Sequence, residues 1–330
     1  MGITIYITDD FEAMSSLAAE IATARIRTVL EQKPQAVLGL ATGNSPTGLY
    51  KHLARAANEG EFDPGRCRSF NLDEYVGLPG GNPQQRVMHP ESYAFFMIQE
   101  LFSLLKRKFA SSEVPCGSLV EQKRLISELR AHPEDWHEQG TDKGRSIVIG
   151  KAPASGYLGW IRKEILDGYA ARIRRAGGID LQIIGVGGRG HVAFHEPGIS
   201  FKGSTVMLVK LDDDTVNNAV ADGHFTSVKD SPRYAISMGA ELVYRAKTVL
   251  LLANGERKVE PVARSLLDAP SPEIPISYGQ IYAARGGELV YVLDRVAGRE
   301  LLAHEKTLKA KGVTLKVEKS LAAAGAARAV

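Results

Sequence analysis

A glycine turn carrying two histidines and a glutamate, GVGGRGHVAFHEP at 185–197, follows the apolar run LQII. His191 and Glu196 stand five residues apart on a stretch with no helical pattern, and His195 adjoins Glu196. A histidine beside a carboxylate is held in one tautomer and can pass a proton near neutral pH. The glycines Gly185, Gly187 and Gly190 also satisfy G-x-G-x-x-G, and Asp212, Asp213 and Asp214 follow about twenty residues on, the outline of a dinucleotide site. Such a site needs a helix to start at the turn, so that its amides hold the pyrophosphate. Pro197, Gly198 and Gly203 would break that helix, so the nucleotide reading fails its context. A metal held by His191, His195 and Glu196 is disfavoured too: the spacing is not H-E-x-x-H, and no helix is expected to align the ligands.

Two further stretches place chemistry just after an expected strand. In LGLATGNSPTGLY (38–50) a strand runs into Thr42, Gly43, Asn44 and Ser45, and a helix starts with Pro46 at its first position. Amides at a helix start, with two hydroxyls, can cradle a phosphate. Taken alone, Ser45 reads as an ordinary helix cap. In SFNLDEYVGL (69–78) two adjacent carboxylates, Asp73 and Glu74, close an apolar strand. They read either as a solvated turn or as a general base at the carboxyl edge of a parallel sheet.

Short apolar runs at 3–8, 36–41, 69–72, 181–186, 205–211, 234–238, 248–253 and 289–293 alternate with helical patterns at 9–32, from about 46, and at 92–109, 156–175 and 255–268. Asp9 and Glu12 suggest a capping box for the first helix. Nearly continuous apolar strands between helices imply an α/β protein, a doubly wound, mostly parallel sheet with helices on both faces. The charged stretch 119–149 reads as an insertion. The C-terminal part, 296–330, reads as a helical extension ending in the low-complexity tail AAAGAARAV.

Composition narrows the function classes. The 330 residues carry a net charge of +3 and no long basic block, which argues against a nucleic-acid partner. No apolar stretch approaches a membrane span, and MGITIYITDDFEAM lacks the basic-then-apolar plan of a signal peptide, so a soluble cytoplasmic enzyme is expected. Cys67 and Cys116 are too few for a disulfide framework and form no C-x-x-C pair.

Taken together, LGLATGNSPTGLY, FNLDEYVGLP, HPESYAFFM and GVGGRGHVAFHEPG resemble the glucosamine-6-phosphate deaminase (isomerase) family. The resemblance covers most of 3–295, interrupted by extra residues near 80–88 and within 119–149. It implies a Rossmann-like fold in one domain over 1–295, with no bound dinucleotide, metal or organic cofactor. It also implies a sugar-phosphate substrate and an assembly size that varies between members, with a homo-oligomer among the expectations. The implied reaction opens the ring of an amino-sugar phosphate, moves a proton from carbon 2 to carbon 1 through an enolamine, and releases ammonia to leave a ketose phosphate. By resemblance Asp73 is the base, His191 opens the ring and Glu196 orients it. Gly43, Asn44 and Ser45, joined by Lys258, meet the phosphate.

The chain departs from the family pattern at several points. Arg189 stands where the family has aspartate or asparagine, and His195 stands where it has asparagine. The phosphate-binding arginine expected near 221–224 has only His224 in its place, and the basic residues of the family's activator site are missing from FKGSTVMLVK apart from Lys202 and Lys210. Glu74, Arg189, His195 and His224 are therefore the candidates for a changed specificity. A guanidinium at 189 would disfavour a protonated imidazole nearby, pair with Glu196, or bind an anionic group of a different substrate. The alternatives are another sugar-phosphate isomerase, a lactonase of the 6-phosphogluconolactonase type, or a non-catalytic sugar-phosphate sensor. AFHEP keeps the glutamate of the deaminase branch, where lactonases usually run toward ASLFP.

Overall fold

The computed structural model describes residues 2–318, apart from 222 and 224. His224 and the AAAGAARAV tail therefore lie outside the described residues. In chain order the strands are β1 (Ile3–Thr8), β2 (Ala36–Leu40), β3 (Cys67–Asn71), β4 (Asp73–Val76), β5 (Ser111–Glu113), β6 (Trp136–Thr141), β7 (Gly144–Ile149), β8 (Leu181–Ile184), β9 (Val206–Lys210), β10 (Tyr234–Met238), β11 (Thr248–Ala253), β12 (Glu288–Asp294) and β13 (Thr314–Val317).

Eight of them form one sheet in the order β13-β1-β12-β11-β8-β2-β3-β5. Every pairing in it is parallel. Parallel strands joined by crossovers are covered on both faces, which is why LQII and TVLLLA are buried at every residue. Helix α1 (Phe11–Gln32) lays Met14, Ala18, Ala22 and Ile26 on one face, against Leu38, Leu40 and Ile183. Val262 and Leu266 of the helix Val259–Leu267 cover the other, with Ile5, Phe70, Ile184 and Leu251. The chain runs outward from the β2–β8 boundary, to β3 and β5 on one side and to β11 and β12 on the other. That boundary is the topological switch point, and open α/β sheets take their ligands beyond the carboxyl ends of the strands at such a point.

A second sheet, in the order β4-β10-β9-β7-β6, is wholly antiparallel. The apolar runs at 205–211 and 234–238 belong here rather than to the parallel sheet. Their alternate residues enter two different cores, Leu208 and Ile236 one, Val209 and Ala235 the other. A strand buried on both faces reads the same in either direction, so its sequence does not reveal its partners. The chain crosses from β3 to β4 with Leu72 alone between them.

The stretch 119–149 holds a helix (Gln122–Ala131) and the β6–β7 hairpin, whose β7 pairs with β9. The C-terminal segment contains two short helices but also β13, which adds to the parallel sheet beside β1. Two local expectations are corrected. Asp10, not Asp9, caps α1, its carboxylate accepting from the Ala13 amide at 2.9 Å, while Asp9 pairs with Arg295. The helix expected over 92–109 is α-helical only at Tyr93–Met97 and continues as a π turn, Ile98–Phe102.

Candidate active site

The loop after β2 reaches the switch point. Gly43 adopts φ +95°, which a side chain would strain, and leads into helix α2 (Thr47–Asn58). Pro46 precedes that helix rather than opening it, and no side chain caps it. Ser45 instead donates to Asn254 Oδ1 at 2.7 Å, tying this loop to the turn after β11. Lys258, half-buried, closes that turn as the last residue of the 3-10 helix Glu256–Lys258. The amides of Gly43, Asn44 and Ser45 meet no protein acceptor among the described residues. Three such donors beside a hydroxyl suit an anion.

Asp73 opens β4, so it stands on the antiparallel sheet rather than at the tip of a parallel strand. Only 5% exposed, its carboxylate takes no hydrogen bond among the described residues. Burial, and then the charge of Glu74, push its pKa well above the usual carboxylate range. A desolvated, unbonded carboxylate is a strong proton acceptor once ionised.

Its neighbour is placed quite differently. Glu74 accepts from the Ser92 hydroxyl at 2.8 Å, the amides of Tyr93 and Ala94 at 3.1 Å and its own neighbour Tyr75 N at 2.9 Å. These donors only partly offset the burial that raises its pKa. Glu74 thus anchors β4 to the helix Tyr93–Met97, and its carboxylate is not offered to a substrate as a specificity residue would be.

The glycine turn starts no helix, as Pro197 and the glycines around it require. Gly187 N donates to His191 O at 3.0 Å, and Gly190 adopts φ +79°. A Cβ on Gly187 would stand 1.8 Å from His191 Nε2, so this glycine makes room for the imidazole. His191 Nδ1 meets Glu196 Oε2 at 3.0 Å, leaving Nε2 without a protein partner among the described residues. Glu196 is fully buried; Thr215 donates to its Oε1 at 2.8 Å and Arg189 to its Oε2 at 3.3 Å. Burial by itself would raise this carboxyl, but His191, Thr215 and Arg189 together hold it below the usual range. Arg189 also pairs with Asp212 and Asp214 and donates to the Lys143 carbonyl.

His195 does not join this group. Its fully buried ring accepts from Ala240 N at 3.0 Å through Nδ1 and meets the Ile199 carbonyl at 3.1 Å through Nε2. A ring that accepts at one nitrogen and donates at the other is neutral, and burial pushes its pKa down to about 4. It is a loop staple, so neither the specificity role nor a metal site shared with His191 and Glu196 is supported. The one grouping of metal-capable side chains found among the described residues, His132, Glu134 and Asp135, lies elsewhere, and Asp135 is engaged by the amides of Ala154 and Ser155.

Several site residues carry no mark in the sequence. Phe194 packs against both Tyr75 and Tyr93, and its amide donates to Ser237 Oγ at 3.0 Å. Ser237 stands directly across the ladder from Asp73. Asn254, Asp212 and Thr215 complete the contacts of Ser45, Arg189 and Glu196. The β6–β7 hairpin contributes Gly144, so close to Glu196 that an added Cβ would lie 2.2 Å from the Glu196 Cβ. The acidic run at 212–214 is the one signal the sequence offers, as part of the dinucleotide outline; in the fold it pairs with arginines.

A parallel sheet whose polar loops gather at the switch point is the frame of a Rossmann-like α/β enzyme. Known proteins give the particular family. A Thermoanaerobacter species (strain X514) has a protein named glucosamine-6-phosphate deaminase, 34% identical over 271 residues, 82% of this chain and 86% of its own length. One of the same name from Clostridium botulinum (strain Kyoto / Type A2) is 31% identical over 297 residues, 90% of this chain and 98% of its own. The chain belongs to the glucosamine-6-phosphate deaminase family. The solved structure of a monomeric glucosamine-6-phosphate deaminase of the NagB superfamily aligns with a TM-score of 0.65 and 27% identity, covering 89% of this chain and 99% of that one. A 6-phosphogluconolactonase from Thermotoga maritima, at TM-score 0.56 and 18% identity over 88% of this chain and 99% of its own, shares the fold. No protein-family profile matches the chain. No helix among the described residues is long and apolar enough to cross a membrane.

Proposed function

We propose that the protein converts an amino-sugar phosphate of the glucosamine-6-phosphate type into a ketose phosphate and ammonia. The observation that carries this is the pairing of two proton-transfer groups of opposite character on one framework. Asp73 is a buried carboxylate with no hydrogen bond among the described residues, and His191 is an imidazole fixed at Nδ1 by a buried carboxylate. Phe194 and Ser237 join the two segments.

With Nδ1–H donated to Glu196, His191 Nε2 can accept the proton of the anomeric hydroxyl and return it to the ring oxygen, which opens the sugar. Asp73 then takes the carbon-2 proton, giving the enolamine, and delivers it to carbon 1; water displaces ammonia from the resulting imine. The Gly43–Ser45 amides and Lys258 hold the phosphate dianion and fix the distance between it and the reacting carbons. None of these steps calls on a metal or an organic cofactor. A phosphorylated sugar carries charge that does not cross a bilayer, which fits a cytoplasmic enzyme.

The test is ammonia release measured over a panel of amino-sugar phosphates, with lactone hydrolysis assayed alongside. Turnover of glucosamine 6-phosphate or its epimers supports the reading. Lactone hydrolysis without ammonia release, or binding with no turnover at all, would replace it with the lactonase or the sensor.

A further inference from the structure

We propose that Arg189 is a positioning residue for the His191–Glu196 pair, held there by Asp212 and by the tip of the β6–β7 hairpin. This rests on the role given above to that pair and adds what sets its charge.

Glu196 is wholly buried, and a carboxylate in such a place stays ionised only with partners at both oxygens. Thr215 serves Oε1, while His191 and Arg189 share Oε2. A second cation on the oxygen that orients the histidine would compete with it for that oxygen. Asp212 answers this by pairing with the same Arg189 Nη2, as a second carboxylate on the guanidinium. Asp214 takes Nη1 at 3.4 Å, and the Lys143 carbonyl takes Nη2 at 3.2 Å. Arg189 is thereby committed to three carboxylates and a carbonyl, which argues against its binding an anionic group of the substrate.

The other charges packed around the pair are matched elsewhere. Lys143 meets Glu273 at 2.7 Å, Arg145 meets Glu138 and Asp142, and Asp213 meets Arg233 at 3.0 Å. His195 is buried and engaged with backbone on both sides. Arg189 and Asp212 are therefore the two opposed charges nearest Glu196 and His191, with the exposed Asp214 at Nη1 of the guanidinium. The hairpin takes part through the Lys143 carbonyl and through Gly144 against Glu196.

The test measures the acid limb of kcat/KM for ammonia release from glucosamine 6-phosphate and, without substrate, the NMR titration midpoint of the His191 ring. Arg189→Met removes the cation and makes a proton on the pair easier to hold, so both midpoints should rise by about half to one pH unit. Asp212→Asn removes the main counter-charge and leaves only the exposed Asp214 to oppose the cation outside the pair, so both should fall. The double variant should return near the wild type, and Arg189→Lys should stay close to it. Midpoints that do not move, or that move the same way in both single variants, would overturn the proposal and leave Arg189 a loop brace. Because the NMR arm needs no turnover, an inactive wild type would sink the deaminase reading while leaving this one decidable.

Discussion

Asp73 and Ser237 face each other across the β4–β10 ladder, and the Ser237 hydroxyl takes the amide of Phe194 from the glycine-turn loop. One serine thereby ties the segment of the proposed base to the loop of the histidine–glutamate pair. Ser237→Ala leaves the Phe194 amide buried without an acceptor, a cost of about 1–3 kcal/mol. The variant should lose stability by that amount in urea and lose kcat more than its affinity for substrate. Unchanged kcat would show that the loop is held without this bond.

Asp73→Asn should abolish proton transfer, with kcat falling by roughly 10²–10⁴-fold. The same change should stabilise the fold. The folded state binds a proton on Asp73 more tightly than the unfolded chain does, so the ionised group costs stability that grows as pH rises. The variant's advantage in melting temperature should thus be largest at neutral pH. It should vanish in acid, below the ordinary carboxylate pKa of about 3.9. A variant no more stable than wild type at pH 7 would contradict the burial argument.

Gly187→Ala places a methyl group where the imidazole lies, 1.8 Å from Nε2. The ring must turn away, and a displacement of about 1 Å in a catalytic group costs on the order of 10²-fold in rate. Far-UV circular dichroism should stay as in the wild type while kcat drops. Full activity would mean that the ring need not stand where the structure puts it.

His195 supplies a separate pH signature. Its folded pKa of about 4 lies below the ordinary 6.5, so the unfolded chain takes up a proton first as pH falls. Stability should decline between about pH 6.5 and pH 4 and lose this contribution's slope below that. His195→Asn keeps an acceptor for Ala240 N but cannot titrate, so denaturation curves across that range should flatten. A slope identical to the wild type would assign the acid sensitivity to the carboxylates alone.

Much of this architecture was legible from local pattern, because a βα unit announces itself through apolar runs and helix periodicity. The strands at 3–8, 36–40 and 248–253 lie where the pattern places them. The antiparallel sheet was not legible: β9 and β10 are buried on both faces, and burial is blind to strand direction. Glu74 and His195 illustrate the same limit within the site. Both sit beside a residue proposed to act in the reaction, and only their partners, Ser92, Ala240 and Ile199, show that they brace the loops instead.

By itself, the sequence determined the residue types that can move protons, the glycines that let a chain turn next to them, and the absence of room for a dinucleotide helix, all of which depend on neighbours along the chain. Only the tertiary structure decided which charge meets which. In the sequence Arg189 is a misfit to the family pattern, and the acidic run at 212–214 is part of a dinucleotide outline that fails its context. The fold makes them partners across more than twenty residues, with the Lys143 carbonyl of the β6–β7 hairpin accepting from the same guanidinium. Coulomb energy depends on distance in space and on burial, and neither is written in the spacing of residues along a chain.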